Sequence, residues 1–247
     1  MRLTWSARRQ ILYYGVGFIV AAIIVWWGYN TFFVKAASCF DGIQNQNERG
    51  VDCGGTCSLV CAADTKPLTV LWARPFLTAP NIYTATAYVT NTNVTAGAKA
   101  VRYSFQLFDD NNSLVIERDG VINIPPVKII PIVETGIYVG NRTPTRALFA
   151  FADTPVWYTA QVPALRVTNE ELASDGSHLT ATVMNDTLQD IHKVVVAAVL
   201  FDAQGVAVGA SKSTIDVPKK GSQLVTFTWP QGVPTVVRAE LTLLPPF

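Results

Sequence analysis

Cysteine is absent outside residues 39–61, and the 247-residue chain holds only two histidines and 15% charged side chains. Each scarcity removes a class of chemistry. His178 and His192 stand without a G-x-S-x-G elbow or an H-E-x-x-H helix, so neither serine-type nor zinc-type hydrolysis has its residues. The glycine pair Gly15-Val16-Gly17 lies inside an apolar run, away from the strand-turn-helix setting that a dinucleotide site needs. The acidic pairs Glu170-Glu171 and Asp109-Asp110 read as solvated loop positions. Phosphate-backbone binding requires several clustered Lys and Arg, and no such cluster is present, so nucleic acid is not an expected partner. No catalytic constellation is visible, and the chain is expected not to be an enzyme. An extracytoplasmic enzyme without a recognisable motif stands as the third reading.

The charges that exist are unevenly placed. Four of the 19 basic groups, Arg2, Arg8, Arg9 and Lys35, fall in the first 35 residues with none of the 18 acidic ones, which leaves the remainder with a formal excess of three acids. From Ile11 to Tyr29 there is no charge and no amide. About 20 such residues in a helix cross the roughly 30 Å hydrocarbon core of a bilayer. Ile11, Phe18 and Ile24 supply apolar surface, and Trp26 and Trp27 with Tyr29 at one end face Trp5, Tyr13 and Tyr14 at the other, the distribution of rings at two membrane interfaces. The expectation is a transmembrane signal anchor over 11–34 in a lipid bilayer, with a cytoplasmic tail over 1–10 by the positive-inside rule. Cleavage near Ala36-Ala37-Ser38 is the competing reading, but the run is long for a signal peptide's apolar region and Lys35 interrupts it. Gly17 and Ala21 form a small-xxx-small pair, the feature behind an expected homodimer.

Cys39, Cys53, Cys57 and Cys61 crowd into a stretch with few large apolar residues. On the side of a membrane expected to be oxidising they read as two disulfides, and three pairings are open. Such a stretch cannot bury a core, so cross-links must order it. Asp41, Asn45, Asn47, Glu48 and Asp52 offer oxygen side chains of the kind that hold calcium. The same residue types make tight turns by bonding their own backbone, and their spacing is not that of an EF-hand loop. Structural zinc fits less well, because the gaps are 13, 3 and 3 residues. The string Cys39, Asp41-Gly42, Asn45, Glu48, Gly50-Val51-Asp52-Cys53-Gly54-Gly55, Cys57, Cys61 resembles a short module of bacterial surface proteins, C-x-D-G-x-x-N-x-x-E-x-x-x-D-C-G-G-x-C-x-x-C, with one extra residue in the last gap. The resemblance implies an extracytoplasmic spacer and no catalytic residue.

Beyond Lys66 the pattern is that of strands: β-branched and aromatic runs, several alternating, separated by turn residues every 8 to 12 positions. The pattern also repeats. Asn91-Thr92 corresponds to Asn185-Asp186, Phe108-Asp109 to Phe201-Asp202, and Pro144 to Ala147 to Pro234 to Ala239, which reads as a duplicated sandwich of six to eight strands. In each copy the strand ending in Leu-Phe-Asp, Phe105 to Asp109 and Ala198 to Asp202, resembles the FxLYD and related immunoglobulin-like domains of bacterial envelopes. That resemblance implies scaffolds and binding modules. The Asp after Phe is expected to accept backbone bonds in a turn. The apolar run Val121 to Val133, broken by prolines, is either a partner surface on an edge or a strand buried between the two domains.

The expected fold is therefore mainly β: the transmembrane helix, a disulfide-rich juxtamembrane module over 35–65, and two tandem immunoglobulin-like β-sandwiches over 66–163 and 164–247. The expected role is a single-pass extracytoplasmic scaffold of a bacterial cell envelope, meeting other envelope or surface proteins in adhesion or assembly. The alternative is a subunit of a membrane-embedded pilus or secretion machine.

Overall fold

The computed structural model describes residues 5–32, 38–45, 47–233 and 235–247. Lys35, Ala36 and Ala37, on which the flank and cleavage arguments draw, lie outside the described residues, as does Arg2.

The charge-free run, free of proline, folds as one helix, α1 (Trp5–Phe32). Its stretch Arg9–Thr31 is 23 residues long with a mean hydropathy of 2.0, and none of it is buried. At 1.5 Å per residue it runs about 34 Å, long enough to cross a membrane. The helix starts earlier than the expected anchor and takes in residues 5–10. Arg9 is accommodated by laying its guanidinium over the Trp5 ring at 4.6 Å. At the other end Asn30 and Thr31 donate to the carbonyls of Trp26 and Trp27, each at 2.8 Å, so these polar side chains are satisfied within the helix itself.

Residues 58–247 form a separate compact unit of antiparallel strands. The first half holds β1 (Thr69–Ala79), β2 (Ile82–Asn91), β3 (Ala96–Phe108), β4 (Leu114–Ile124), β5 (Lys128–Tyr138), β6 (Arg146–Phe151) and β7 (Trp157–Thr159). The second holds β8 (Leu165–Leu172), β9 (His178–Asn185), β10 (Ile191–Phe201), β11 (Ala207–Val217), β12 (Ser222–Thr228) and β13 (Arg238–Leu244). The sheet orders β1-β2-β5 and β4-β3-β6 reappear as β8-β9-β12 and β11-β10-β13, while β7 extends the pairing of β3. The two halves thus have one topology, as the repeat in the sequence predicted. The expected edge of the first sandwich at residue 66 needs correction: Val60 and Thr159 donate to Trp157 and Ser58, so residues 58–60 already pair beside β7.

The sheets stack in four layers with three apolar cores. Phe105, Leu107, Ile130, Ile132 and Trp157 fill the core of the first sandwich, and Leu179, Val196, Leu200, Phe227 and Trp229 that of the second. A third cluster of Tyr88, Val133, Ala197, Val199, Phe201, Ala207 and Ala210, flanked by Trp72 and Phe76, lies where β1-β2-β5 faces β11-β10-β13. Successive side chains of a strand point to opposite faces, so β10 sends Val194, Val196, Ala198 and Leu200 into one core and Ala197, Val199 and Phe201 into another. A strand covered on both sides must be apolar throughout. That explains the unbroken Val194-Val195-Val196-Ala197-Ala198-Val199-Leu200 run. β13 does the same at the seam: Leu243 enters the second core and Leu244 the first.

Within the Val121 to Val133 run, Ile130 and Ile132 enter the first sandwich's own core and Val133 enters the third cluster between the sandwiches, each at most 3% exposed, whereas Val121, Val127 and Ile129 remain more than half exposed. Pro131 sits in β5, an outer strand of its sheet, the kind of strand to which proline is confined.

Candidate functional site

Three features were open to a role beyond folding: the cystine module, the repeated turns, and the seam between sandwiches. In the module, Cys39 and Cys57 are joined with Cα atoms 5.6 Å apart, which selects one pairing among the three. Cys53 and Cys61 are also disulfide-bonded, and no cysteine is free. Around the Cys39–Cys57 bridge the acidic side chains are turned onto backbone. Asp52 accepts from the N–H groups of Asp41 and Gly42 at 3.0 and 3.1 Å. Asp41 accepts from Ser38, Ile43 and the Asn45 amide. Buried Glu48 accepts from the Asp52 N–H at 3.1 Å and lays its other oxygen 3.1 Å from Cys57 Sγ. Gly55 is required here, because its φ is +60° and a Cβ would sit 2.2 Å from the Asn47 carbonyl.

This arrangement bears on the calcium expectation. Among the described residues the one close group of three metal-ligating side chains is Cys39, Glu48 and Cys57, and its two sulfurs are already bonded to each other. The carboxylates of Asp41, Glu48 and Asp52 do not converge on one point, and Asn47 points into solvent at a φ of 70°. Among the described residues, Asn45 Oδ1 is buried without a donor. Turn formation, in which Asx side chains replace backbone partners, accounts for the acids.

The repeated residues make repeated bonds. Asn91, 1% exposed, donates from Nδ2 to Ala96 O and Pro125 O and accepts at Oδ1 from Asn93. Asn185, equally buried, donates to Gln189 O and Val217 O and accepts from Thr187. Asp109 accepts from the N–H groups of Asn111 and Ser113, and Asp202 from those of Gln204 and Val206. Arg142 also reaches Asp109 at 2.6 Å and, with the turn's amides, holds that carboxyl below the usual carboxylate range. Arg146 lies over the Phe108 ring as Arg238 lies over Phe201. The Leu-Phe-Asp strings are thus strand-to-turn devices. Glu170 and Glu171 depart from expectation by lying on β8, beside a bulge at Asn169 with φ of 50°, rather than in a loop. His178 bonds Ser177 at 3.1 Å, and the mostly exposed His192 sits 3.5 Å from Asp216. Neither histidine joins a nucleophile or a close acid cluster among the described residues.

The seam is the feature least visible in the sequence. Trp72 stacks on Tyr88 at 4.5 Å, and Tyr88 meets Phe201 edge-on at 6.2 Å. Three polar links surround these rings. Tyr88 donates to Glu240 at 3.0 Å, Tyr103 and Lys212 both donate to Glu134 Oε1 at 2.5 and 3.2 Å, and Lys128 Nζ donates to Leu243 O at 2.8 Å. Burial and then the Glu240 charge push the Tyr88 phenol far up, burial and Glu134 do the same to Tyr103, and burial lowers Lys128. A narrow cleft of about 110 Å³ opens beside Tyr103, Val121, Val195 and Lys212.

Comparing the two copies shows why the stacking stops. Matching strand register places Thr168, Thr182, Leu224 and Thr226 of the second sandwich where the first has Trp72, Tyr88, Pro131 and Val133. The first sandwich carries Ser104, Gln106 and Glu117 where the second has Ala197, Val199 and Ala210. Most of these outward positions are therefore polar, with Leu224 as an exception, and polar outer faces are what terminal units of a stacked array need.

No family model and no curated protein matches the chain. Among solved structures, a transglutaminase from red sea bream is similar over 72% of this chain at 12% identity and a TM-score of 0.22. The match takes in 29% of that protein's length. At this TM-score it carries neither a fold assignment nor a function.

Proposed function

We propose that the chain is a single-pass scaffold of a bacterial cell envelope, with residues 1–10 in the cytoplasm and the cystine module and sandwiches outside. The observation that carries the proposal is the conjunction of an unburied, largely apolar 23-residue span with a cysteine set in which no thiol is free. Disulfides persist in oxidising compartments, and Arg8 and Arg9 precede the charge-free run that begins at Ile11, as the positive-inside rule asks of a cytoplasmic flank. The role is presentation rather than catalysis. Two sandwiches locked through an apolar seam hold their loops at fixed spacing, and the perturbed groups Tyr88, Tyr103 and Lys128 belong to that seam.

A photo-reactive residue in place of Phe18 tests the scaffold against the membrane-machine alternative. Phe18 is 76% exposed and lies on a shallow apolar groove with Ile19, Ala22, Ile23 and Trp26. Crosslinks to lipid, or to a second copy alone, fit the scaffold. Defined adducts with multipass proteins would replace it by the machine subunit.

A further inference from the structure

Four asparagines of the second unit begin the string Asn-x-Ser or Asn-x-Thr: Asn93, Asn111, Asn141 and Asn185. This string marks acceptors of N-linked glycans in exported proteins, because the transferase holds the hydroxyl two residues on while the side-chain amide reacts. The fold sorts the four by accessibility. Asn93 is 7% exposed, and its amide donates to Lys66 O and Asn91 Oδ1. Asn185 is 1% exposed with both amide hydrogens bonded, and the Thr187 hydroxyl is itself turned onto Asn185 Oδ1. Reaction at either would dismantle a buried hydrogen-bond circuit.

Asn111 and Asn141 are the opposite case. Both lie exposed at the tips of turns, Asn111 between β3 and β4 and Asn141 between β5 and β6. Among the described residues neither side-chain amide, nor the hydroxyl of Ser113 or Thr143, has a hydrogen-bond partner. The two turns share one rim of the first sandwich, since Arg142 donates to Asp109 and to Leu114 O of the neighbouring turn at 2.6 and 2.8 Å. Their backbone is fixed while their amides are presented to solvent.

We infer that Asn111 and Asn141 are glycan acceptors and that Asn93 and Asn185 are not. The donor class is a glycan on a polyprenyl diphosphate, presented by a membrane-bound transferase. The bond from the sugar anomeric carbon to the diphosphate oxygen breaks, polyprenyl diphosphate leaves with the electron pair, the Asn Nδ2 to carbon bond forms, and the amide gives up one proton. The inference rests on the extracytoplasmic placement proposed above.

The test is the intact mass and peptide map of the full chain purified from its own membranes, with thiols counted by alkylation. Two glycans above the 26.9 kDa chain are expected, one lost in Asn111→Gln and one in Asn141→Gln. If all four cysteines resist alkylation and Asn111 and Asn141 are bare, the acceptor assignment is wrong and the placement stands. Bare asparagines with free thiols overturn the placement and the assignment together. A glycan on Asn93 or Asn185 contradicts the accessibility argument.

Discussion

Asn91 and Asn185 close the same circuit in the two sandwiches: each ends its strand fully buried, accepts from the residue two positions on, and donates to a carbonyl a few residues ahead and to another far downstream. A buried amide with every site matched fixes the crossover from β2 to β3, or from β9 to β10, because any shift leaves several polar groups unpaired. Replacing Asn185 by Ala strands the Gln189 and Val217 carbonyls and the Thr187 N–H. Unpaired buried groups cost about 1–3 kcal/mol, so Asn185→Ala and Asn91→Ala should each lower stability by that amount in urea denaturation. The exposed Asn111→Ala should stay within about 0.5 kcal/mol of the parent.

The seam makes the two sandwiches one cooperative unit. Phe201 is 7% exposed and touches Tyr88 on the far side of the seam. Truncating a buried Phe to Ala costs about 3–5 kcal/mol. Phe201→Ala should therefore separate a single urea transition into two, the second sandwich melting first, whereas the parent melts in one. Coincident transitions in the variant would show that the seam does not couple the halves.

Tyr88 and Tyr103 govern the alkaline limit. Their folded phenols are held far above the ordinary value of 10.0, by burial first and by Glu240 or Glu134 second. Folding thus favours the neutral form, and this contribution is complete below about pH 10 and shrinks as pH rises past it, where the unfolded phenols ionise. Stability measured from pH 8 to 11 should be flat and then fall, with phenolate absorbance from these two rings appearing only on unfolding. The double variant Tyr88→Phe, Tyr103→Phe should show a shallower fall.

Much of this architecture was legible in the chain. The absence of charge from Ile11 to Tyr29 foretold α1, and the recurrent Asn and Phe-Asp landmarks foretold one topology used twice, because strand ends and turns are coded by local chemistry. The seam was not legible. Trp72, Tyr88 and Phe201 look like any core aromatics, and only the folded chain shows that Tyr88 leaves the first core for the third. Its sequence signals were the Val121 to Val133 run, of which Val133 reaches the seam, and the doubly covered run from Val194 to Leu200, whose lack of alternation fits burial on both faces. The oxygen side chains of the cystine module were ambiguous for a different reason: carboxylates that bind cations and carboxylates that cap turns have the same composition, and only geometry separates them.

The placement of the two sides of α1 is tested most directly by labelling intact cells with a membrane-impermeant maleimide. Ser6 and Gln204 are both exposed side chains on opposite sides of the apolar span in sequence. The account predicts that Gln204→Cys reacts in intact cells and that Ser6→Cys reacts only once the membrane is opened. Labelling of Ser6→Cys alone in intact cells, with Gln204→Cys silent until permeabilisation, would contradict it.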